Sequence, residues 1–425
     1  MKFFFFMSLL VLTVSSTGIK VKAETPHAST LQEVEFLHWW TAKGEVAAFN
    51  LATQALQDAG VSILDLPVQG GGGDTAMSIL QARAIAGTPP DIVQLEGPSI
   101  QSWAALGFLH QLDQVAVDEN WQQNLLPIAQ DINQYQGHYV AIPITVHRLN
   151  WMWINRKVLR QYGLAVPTSW DALIDVFTRL KQNGVEPLAL GKDPWQVALL
   201  FENLAFGYGG ADYYRRAFIN MEPQALNSQT TYDILARFRT LSQLVKPGMS
   251  HMRWDEGTQL LIEGERAFQI SGDWVLGDLL ANNIAVPSAI GCYPTPSKQT
   301  GFIYNMDSFA LFDSPRTHAD TAKIVSKTLS SPQFQQSFNA LKGAIPARSD
   351  ISLKGYNSCS VNAKADMEKA SKSGQLIPSI VDSMAVSLIA QRATSSEIFR
   401  YFNDETMAPE DFILHLQNIP RGESL

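Results

Sequence analysis

Several acidic side chains could act as a pair of catalytic carboxyl groups, whereas the sequence shows no other complete set of reactive groups. Glu45, Glu96 and Asp307 could supply the two carboxyl groups that cleave a glycosidic bond, which must lie about 5–9.5 Å apart. Such residues more often accept hydrogen bonds from hydroxyl groups or lie on the surface. The eight histidines include no pair with the spacing of metal ligands, and no Gly-x-Ser-x-Gly motif occurs.

Two adjacent tryptophans, Trp39 and Trp40, follow the segment 35–38, which we predict to be the end of a strand. A helix is predicted to begin at Gly44. In open α/β sheets, ligands bind in the crevice outside the carboxyl ends of the strands. A sugar ring could pack its C–H face on an indole while its hydroxyl groups reach Glu45. The alternative is that one tryptophan packs in the core and the other covers a loop.

Predicted strands and helices alternate over the first part of the chain, which favours a parallel sheet. A strand over 61–66 is followed by the glycine run 70–73 and by a helix whose predicted N-cap is Asp74 or Thr75. The run lacks the Lys-Ser/Thr ending of a phosphate-binding loop, so a nucleotide site is rejected. The helix before this strand carries an apolar stripe formed by Val46, Phe49, Ala52 and Leu56.

In the remainder of the chain, the segment 145–155 is predicted to be one strand that leads into a second lobe, and 301–312 to be paired short strands. The last part is predicted to be helical over 381–392, 396–403 and 409–417. Polar and aromatic residues recur at the predicted carboxyl ends of strands, namely Trp39, Trp40, Glu96, Asp273, Trp274, Asn305 and Asp307. Two α/β lobes with such residues would enclose a cleft, which favours recognition of a polar small molecule over bond breaking.

Length and composition fit an exported globular protein. With 425 residues, of which 46% are hydrophobic and 17% charged, the chain can form two domains with full cores. Residues 1–23 have the pattern of a secretory signal peptide, and their apolar run is short for the alternative, a membrane anchor. Removing them takes away three lysines, so the formal charge changes from 32 − 40 = −8 to 29 − 40 = −11. This charge argues against nucleic acid as a partner.

The two cysteines, Cys292 and Cys359, favour one disulfide, because an even number of cysteines in an exported chain is commonly paired. A disulfide that closes so long a loop stabilises by roughly 4 kcal/mol on the chain-entropy account. The alternative is a pair of buried thiols.

Eight short stretches match one known family in their order and spacing. They are Leu37–Trp40, Gly70–Met77, Ala86–Asp91, Val146–Asn155, Pro194–Gln196, Gly272–Trp274, Tyr304–Ser308 and Lys342–Arg348. On these stretches the chain, from about residue 34 to its end, resembles the periplasmic solute-binding proteins of ABC sugar importers. Within that family it is most similar to the glucose/mannose-type branch.

The resemblance implies an α/β, two-lobed periplasmic-binding-protein fold of the maltose-binding-like class, with crossover segments that act as a hinge. Residues 26–145 and 300–345 would form the first lobe, and 150–295 and 350–425 the second. It also implies a sugar ligand and delivery to the membrane permease of an ABC importer. We expect a periplasmic monomer with no catalytic residue, metal or cofactor. Both cysteines match paired positions of the branch, which strengthens the disulfide prediction.

Carried over position by position, the resemblance implies three groups of ligand-binding residues. The stacking aromatics would be Trp39, Trp40 and Trp274. The groups that bind hydroxyls would be Glu45, Asn305, Asp307 and Lys342. Two further residues of the cleft would be Trp195 and Gln196.

Two positions depart from the glucose-type pattern, which has Lys where this chain has Glu96 and His where it has Asp382. Each change removes a donor and adds an acidic acceptor. If both face the ligand, a neutral hexose loses donors, whereas a sugar that carries an amino group gains partners. We therefore hypothesise an amino sugar or another non-glucose carbohydrate. Alternatively, bound water compensates for the lost donors and the ligand is a neutral sugar.

Two other functions remain open. The chain could serve as a sugar sensor without a role in transport, which the sequence does not distinguish from uptake. It could also be an exported carbohydrate-active enzyme, which would need two carboxyl groups at the separation given above and would release a product.

Overall fold

The computed structural model describes residue 1 and residues 32–70, 73–314, 316 and 318–420. Apart from Met1, the predicted signal peptide lies outside the described residues, as do Gly71 and Gly72 of the glycine run. Within these ranges, no helix is both long enough and apolar enough to cross a membrane.

The strands are short, and most of them are buried. In chain order they are β1 (Gln32–His38), β2 (Val61–Pro67), β3 (Ile92–Leu95), β4 (Gln134–Tyr135), β5 (His138–Tyr139), β6 (Ile142–Arg148), β7 (Trp151–Asn155), β8 (Glu186–Leu188), β9 (Arg266–Ser271), β10 (Ile290–Pro294), β11 (Phe302–Leu311), β12 (Ile345–Pro346) and β13 (Leu376–Pro378).

Helices occupy most of the chain between the strands. They are α1 (Lys43–Asp58), α2 (Asp74–Ile85), α3 (Pro98–Ala105), α4 (Asp113–Asp118), α5 (Trp121–Asn124), α6 (Pro127–Ile132), α7 (Arg156–Gln161), α8 (Trp170–Gln182), α9 (Pro194–Gly209), α10 (Ala211–Tyr214), α11 (Pro223–Leu226), α12 (Gln229–Val245), α13 (Trp254–Glu263), α14 (Trp274–Ala281), α15 (Ala319–Ser330), α16 (Pro332–Lys342), α17 (Ser358–Lys372), α18 (Leu388–Asn403) and α19 (Pro409–Gln417). A π-helical turn covers Arg215–Ile219 and a 3₁₀ turn covers Lys246–Gly248.

In the described part of the chain, seven strands form the larger sheet, in the order β12-β6-β11-β3-β1-β2, with β13 paired to β11. Strand β1 runs parallel to both β2 and β3, which confirms the parallel pairing expected from alternating strands and helices. Strands β3, β6 and β11 are buried at every residue, as expected for strands covered on both faces. Because β1 and β3 run parallel, their carboxyl ends lie at the same edge of the sheet.

The smaller sheet has the order β10-β7-β9-β8. Its strand β7 is antiparallel to both β9 and β10, and it is buried at every residue. The lobe boundaries given above stay a prediction. Strand β13, which they would place in the second lobe, pairs with β11 of the larger sheet.

Two predicted strand assignments are wrong. The segment 145–155 is not one strand, because the chain leaves β6 at Arg148 and enters β7 at Trp151, in the other sheet. Asn150 fixes this break, since its Oδ1 accepts hydrogen bonds from Arg148 Nε and Ile303 N. The segment 301–312 forms the single strand β11 rather than paired short strands, because β3 and β6 pair with it on opposite edges.

Three predictions about helices are also wrong. No helix begins at residue 381. Ser379 Oγ accepts the backbone N–H groups of residues 381 and 382 and holds a turn there, and helix α18 begins at Leu388. The N-cap of α2 is Gly73, and the Asp74 side chain instead accepts a hydrogen bond from Arg392. In the stripe of α1, Val46 is 41% exposed, although the other three residues are buried. Helices α14 and α17 were not predicted.

Cys292 and Cys359 form the predicted disulfide. Cys292 lies in β10, and Cys359 lies in the first turn of α17, 67 residues further along the chain. The disulfide therefore joins the smaller sheet to helix α17, which follows β11 of the larger sheet in the chain.

Candidate ligand-binding site

One cavity contains most of the residues that the sequence analysis selected. It encloses, with its open mouth, about 690 Å³, within the range of about 300–1,000 Å³ typical of small-molecule sites. Its predicted wall residues are Trp39, Trp40, Glu45, Glu96, Trp195, Trp274, Asn305, Asp307, Lys342 and Asp382. Its further wall residues, which the sequence analysis did not select, are Thr41, Gln69, Gly70, His147, Asp193, Arg253, Trp254 and Asp255.

Gln196 is the predicted residue that does not line this cavity. Its side chain closes a local turn instead, because Oε1 accepts the Gly191 N–H at 3.0 Å and Nε2 donates to Met252 O at 3.1 Å. Its neighbour Trp195, at the start of α9, does face the cavity.

The tryptophan pair beyond β1 serves both the core and the cavity wall. Trp40 is only 2% exposed, and its ring packs against Phe309 and Phe338 at centroid distances of 5.6 and 5.5 Å. Trp39 is half-buried, and Gly73 lies against its indole, where an added Cβ would come within 3.2 Å of the ring carbons. The glycine at the start of α2 thus allows the chain to pack flat on Trp39.

Glu45 and Lys342 form a buried ion pair beneath Trp40. Lys342 Nζ lies 3.1 Å from Glu45 Oε1 and 4.5 Å from the centroid of the Trp40 ring. The second carboxylate oxygen of Glu45 accepts the backbone N–H groups of Thr41 and Ala42, at 3.1 and 3.2 Å. Both charges are therefore compensated before any ligand binds.

Three tryptophans form a second aromatic wall. Trp274, at the start of α14, has its ring 6.3 Å from that of Trp195 and 6.4 Å from that of Trp254. Its indole Nε1 donates to Ser271 Oγ at 3.0 Å, so its polar edge is satisfied and its apolar surface lies in the cavity wall.

His147 joins two carboxylates at the base of the cavity. Its Nδ1 bonds to Asp273, and its Nε2 lies 2.9 Å from Asp307 Oδ2. Burial opposes a charge on the ring, but the carboxylates of Asp273 and Asp307 outweigh burial and raise the pKa of His147 to about 9. The ring is therefore an imidazolium that donates from both nitrogens. Burial acts against ionised Asp307 as well, but the charges of His147 and Lys342 hold its pKa well below the ordinary value.

Asn305 connects the two positions that depart from the glucose-type pattern. Its Nδ2 donates to Glu96 Oε1 at 3.2 Å and to Asp382 Oδ2 at 2.8 Å. Its Oδ1 is buried and has no hydrogen-bond partner within the described ranges. A ligand that donates a hydrogen bond would satisfy this oxygen.

The two carboxyl groups held by Asn305 are difficult to ionise. Burial, followed by the charges of Asp382 and Asp307, raises the pKa of Glu96 well above its ordinary value. Burial, followed by the charges of Glu202 and Asp307, raises the pKa of Asp382 to about 7. Below neutral pH Asp382 is therefore largely protonated and can donate, and the raised pKa of Glu96 favours its protonated form in the same way, whereas a cation between the two groups would favour the ionised forms.

Gly97 allows the segments that carry these carboxyl groups to approach each other. Its φ is +44°, and an added Cβ would lie 2.1 Å from Ser383 O. Because Gly97 follows Glu96 and Ser383 follows Asp382, this backbone contact sets the distance between the two acids.

His147 and Trp254 are the main wall residues that the sequence analysis missed. His147 lies opposite Asn305 in the pairing of β6 with β11, so the register of these strands brings it to Asp307. Trp254 begins α13 and does not directly follow a strand, so the pattern of residues at strand ends could not find it. The stretch 146–155, which contains His147, is one of the eight stretches that match the family, but none of its residues was assigned a ligand-binding role.

Comparison with known proteins agrees with this architecture. Residues 63–306 match the profile described as bacterial extracellular solute-binding protein. The chain is 35% identical over 394 residues to the probable sugar-binding periplasmic protein of Brucella suis biovar 1 (strain 1330), with 93% of each chain covered.

Two solved structures share the fold. The bacterial solute receptor AcbH, described as preferring b-D-galactopyranose, has a TM-score of 0.75 at 18% identity, over 91% of this chain and 96% of its own. Maltose-bound MalE3 of T. maritima has a TM-score of 0.71 at 14% identity, over 90% of this chain and 97% of its own. These likenesses confirm the two-lobed periplasmic-binding-protein fold of the maltose-binding-like class. The relatives are solute-binding proteins and not enzymes, as expected for this chain. The chain belongs to the family of bacterial extracellular solute-binding proteins.

Proposed function

We propose that this chain is exported by its signal peptide, captures a sugar that carries an amino group, and delivers it to the membrane permease of an ABC importer. The observation that carries the proposal is that two tryptophan walls and several buried carboxyl groups line one cavity. The name of the Brucella relative, a probable sugar-binding periplasmic protein, supports the ligand class.

A sugar suits this cavity because it is apolar on the faces of its ring and polar around its rim. Trp39 and Trp274 offer aromatic surface for the C–H face of a pyranose. Asp307 and the unpartnered Oδ1 of Asn305 can accept hydrogen bonds from hydroxyl groups, and Lys342 can donate to them. Among hydrogen bonds, those to charged groups are the stronger ones.

The cavity wall has acidic side chains that no basic side chain of the wall compensates, which favours a sugar with an amino group. Lys342 is paired with Glu45, and His147 is shared between Asp273 and Asp307, so neither cation is left for Glu96 and Asp382. Arg253, another cation of the wall, is bonded to Asp255 and Glu256. A ligand ammonium near Glu96 and Asp382 would supply the missing positive charge.

The test uses the chain from Glu24 onward and isothermal titration at pH 7 with glucosamine, glucose, galactose, mannose, maltose and N-acetylglucosamine, with product analysis alongside. We expect glucosamine to bind more tightly than glucose. The double variant Glu96→Lys, Asp382→His should reverse that order, because it replaces two acceptors by donors. A ligand at about 100 times its Kd should also stabilise the protein by about 2.7 kcal/mol in thermal unfolding.

Other outcomes of this test would revise the proposal in different ways. Tight glucose binding that the double variant leaves unchanged would contradict the amino-sugar part and leave a neutral sugar as the ligand. Release of a cleavage product from a disaccharide would contradict the binding-protein assignment. Cleavage of the signal peptide would be contradicted if the N-terminus of the chain recovered from the periplasm were Met1, and export would be contradicted if the chain were recovered only from the cytoplasm.

A further inference from the structure

Three glycines bring together helices that belong to different sheets. Helix α1 follows β1 of the larger sheet, α16 leads to β12 of the same sheet, and α14 follows β9 of the smaller sheet. An added Cβ on Gly44 of α1 would lie 2.6 Å from Asp278 N of α14, and one on Gly277 of α14 would lie 2.7 Å from Lys342 O of α16. At Gly343, just after α16, it would lie 2.8 Å from Gly277 N. The backbone of α14 therefore touches both neighbouring helices directly.

This contact lies beside the ligand cavity but outside its wall. Glu45, Lys342 and Trp274 line the cavity, and each lies on one of the three helices that meet here. Asp278 and the three glycines are not among the wall residues. If α14 moved away from α1 and α16, Trp274 would move away from Glu45 and Lys342, and the cavity would open between them. The contact can therefore form only when the cavity is closed.

A titratable side chain, that of Asp278, lies inside the contact. It is 4% exposed, and its carboxylate accepts the backbone N–H of Gly44 in the first turn of α1. Asn282 Nδ2 donates to Asp278 Oδ2 at 3.4 Å, and Lys43 Nζ donates to Asn282 Oδ1 at 2.9 Å. The bonds to Gly44 and from Lys43 cross between α14 and α1, so they require the two helices to touch.

The surroundings of Asp278 in the contact oppose its negative charge. Burial raises its pKa, and the carboxylates of Asp255 and Glu45 raise it further, whereas the Gly44 N–H and Lys43 lower it, and the result is a pKa of about 6. The charged side chains of the helices packed on α14 at this point are Lys43 and Glu45 of α1, Asp255 of α13 with its partner Arg253, and Lys342 of α16, which is paired with Glu45. If the contact opened, water would surround Asp278, and its pKa would return toward its ordinary value, about 3.9.

We propose that Asp278, Gly44, Gly277 and Gly343 form an acid-sensitive latch, which holds the cavity closed more firmly at acidic than at neutral pH. Periplasmic binding proteins close around their ligands by a hinge motion, and the latch would bias that motion from outside the cavity. The inference rests on the proposed function in one respect, which is that the affinity for a sugar reports the closing.

The direction of the pH effect follows from the raised pKa of Asp278 in the closed contact. The neutral carboxyl group favours closing, so its contribution is fully present below about pH 4 and is lost as the pH rises through about 6. Closing therefore takes up a proton in this interval. Glu96 and Asp382 titrate inside the cavity as well, so the test must separate their effect from that of the latch.

The first test replaces Asp278 by Asn, which keeps an acceptor for the Gly44 N–H but does not titrate. The control is Asp58→Asn, which removes the same charge at the exposed C-terminal end of α1. Both variants of the chain from Glu24 onward are titrated calorimetrically with glucosamine and glucose at pH 7.5 and pH 5. Taking the ratio of the two affinities at one pH cancels the titration of the cavity acids.

We expect Asp278→Asn to bind the sugar more tightly than Asp58→Asn at pH 7.5. This advantage should shrink by about tenfold at pH 5, because that pH lies about one unit below the pKa of about 6 and Asp278 of the control takes up its proton. A merely structural effect of the substitution would give the same ratio at both pH values.

The second test obstructs the backbone contact itself. Gly277→Ala should weaken sugar binding by about five- to a hundredfold, because its Cβ would push α14 away from Lys342 O. Gly257→Ala is the control, since Gly257 also lies inside a helix, α13, but an added Cβ would meet Ala189 Cβ at an ordinary 3.4 Å. Gly257→Ala should bind sugar with unchanged affinity.

The possible failures are distinguishable. If sugars bind but the ratio of Asp278→Asn to Asp58→Asn is the same at both pH values, the latch is not acid-sensitive and this inference is overturned, while the proposed function stands. The same follows if Gly277→Ala binds as tightly as Gly257→Ala. If no sugar binds to the unchanged protein, the proposed function fails. Small-angle X-ray scattering at pH 5 then decides on the latch, since Gly277→Ala should have a larger radius of gyration than Gly257→Ala, and equal radii would overturn the inference.

Discussion

His147 and Asp307 form a buried ion pair in which Nε2 lies 2.9 Å from Oδ2, and each side chain is no more than 3% exposed. Asp273 bonds to the other ring nitrogen, so one imidazolium separates two carboxylates that would otherwise repel each other. The backbone N–H of Arg148 also donates to Asp273, at 3.0 Å. This cluster links β6, β11 and the segment after β9, and so it joins the larger sheet to the smaller one at the base of the cavity.

Replacing His147 by Gln should destabilise the protein by about 3–5 kcal/mol near pH 6.5, because it leaves two buried carboxylates without a cation. The raised pKa of about 9 means that the contribution of His147 is fully present below its unfolded value, about 6.5, and is lost as the pH rises through 9. The deficit of the variant, measured by urea unfolding, should therefore shrink between pH 6.5 and pH 10.

His138 provides the matched control, since it also bonds to a carboxylate, Asp113, but both side chains are more than 40% exposed. His138→Gln should change the free energy of unfolding by less than about 1 kcal/mol. A His147 variant as stable as the His138 variant would contradict the buried ion pair.

The unliganded protein should gain stability at alkaline pH when Asp382 is changed to Asn. The pKa of Asp382 is raised to about 7 in the folded chain, so its carboxyl group stabilises the fold when protonated, and the stability falls as the pH rises from about 4 to 7. The amide that replaces the carboxyl group does not titrate. We expect the variant to be more stable than the unchanged protein by on the order of 2 kcal/mol at pH 8, and equally stable or less stable at pH 4.5. Equal stabilities at both pH values would show that Asp382 has an ordinary pKa.

Gly97→Ala should weaken sugar binding as well as the fold. At Gly97, the combination of φ +44° and ψ −133° costs an alanine about 1–3 kcal/mol, and the contact of its Cβ with Ser383 O adds about 1–3 kcal/mol of overpacking. Gly107 is the control, because it also has a positive φ, of +77°, but no atom lies within 4 Å of an added Cβ. Gly107→Ala should therefore lose only the stability that its positive φ costs, and should bind sugar with unchanged affinity in titration. Equal effects of the two variants on affinity would contradict a role of the Gly97 contact in placing Glu96 and Asp382.

The parts of the site that follow a strand were predictable from the sequence. Trp39 and Glu96 come directly after β1 and β3, and a local pattern is enough to find such residues. Asn305 and Asp307 were placed at a strand end but lie in the middle of β11, because strands on both edges extend its ladder. Local periodicity does not reveal where pairing with distant strands continues.

The residues that sequence analysis missed depend on contacts across the chain. His147 meets Asp307 160 residues away, and only the register of β6 against β11 makes them neighbours. The turn before α18 escaped prediction for a similar reason. Its apolar residues suit a helix, but Ser379 and Glu202 bind its backbone N–H groups and hold it open.

Glu202 should control the titration of Asp382 although it lies outside the cavity. This fully buried carboxylate of α9 accepts hydrogen bonds from Ser379 Oγ, from the backbone N–H of Ile380 at 2.8 Å and from the Tyr214 hydroxyl. After burial, its charge is the largest cause of the raised pKa of Asp382, so Glu202→Gln should lower that pKa toward its ordinary value.

The measurement of this effect is a ¹³C NMR titration of aspartate-labelled protein, with the Asp382 signal assigned by its loss in Asp382→Asn. Glu397→Gln is the control, because Glu397 bonds to His415 and is not among the groups that shift Asp382. A midpoint that moves down in Glu202→Gln but not in Glu397→Gln would establish that the charge of a buried residue is felt in the cavity. An unchanged midpoint in both would mean that burial and the charge of Asp307, rather than that of Glu202, raise the pKa of Asp382. In that case Glu202 would serve only to hold the 379–383 turn, and its replacement would change stability without altering the pH dependence of sugar binding.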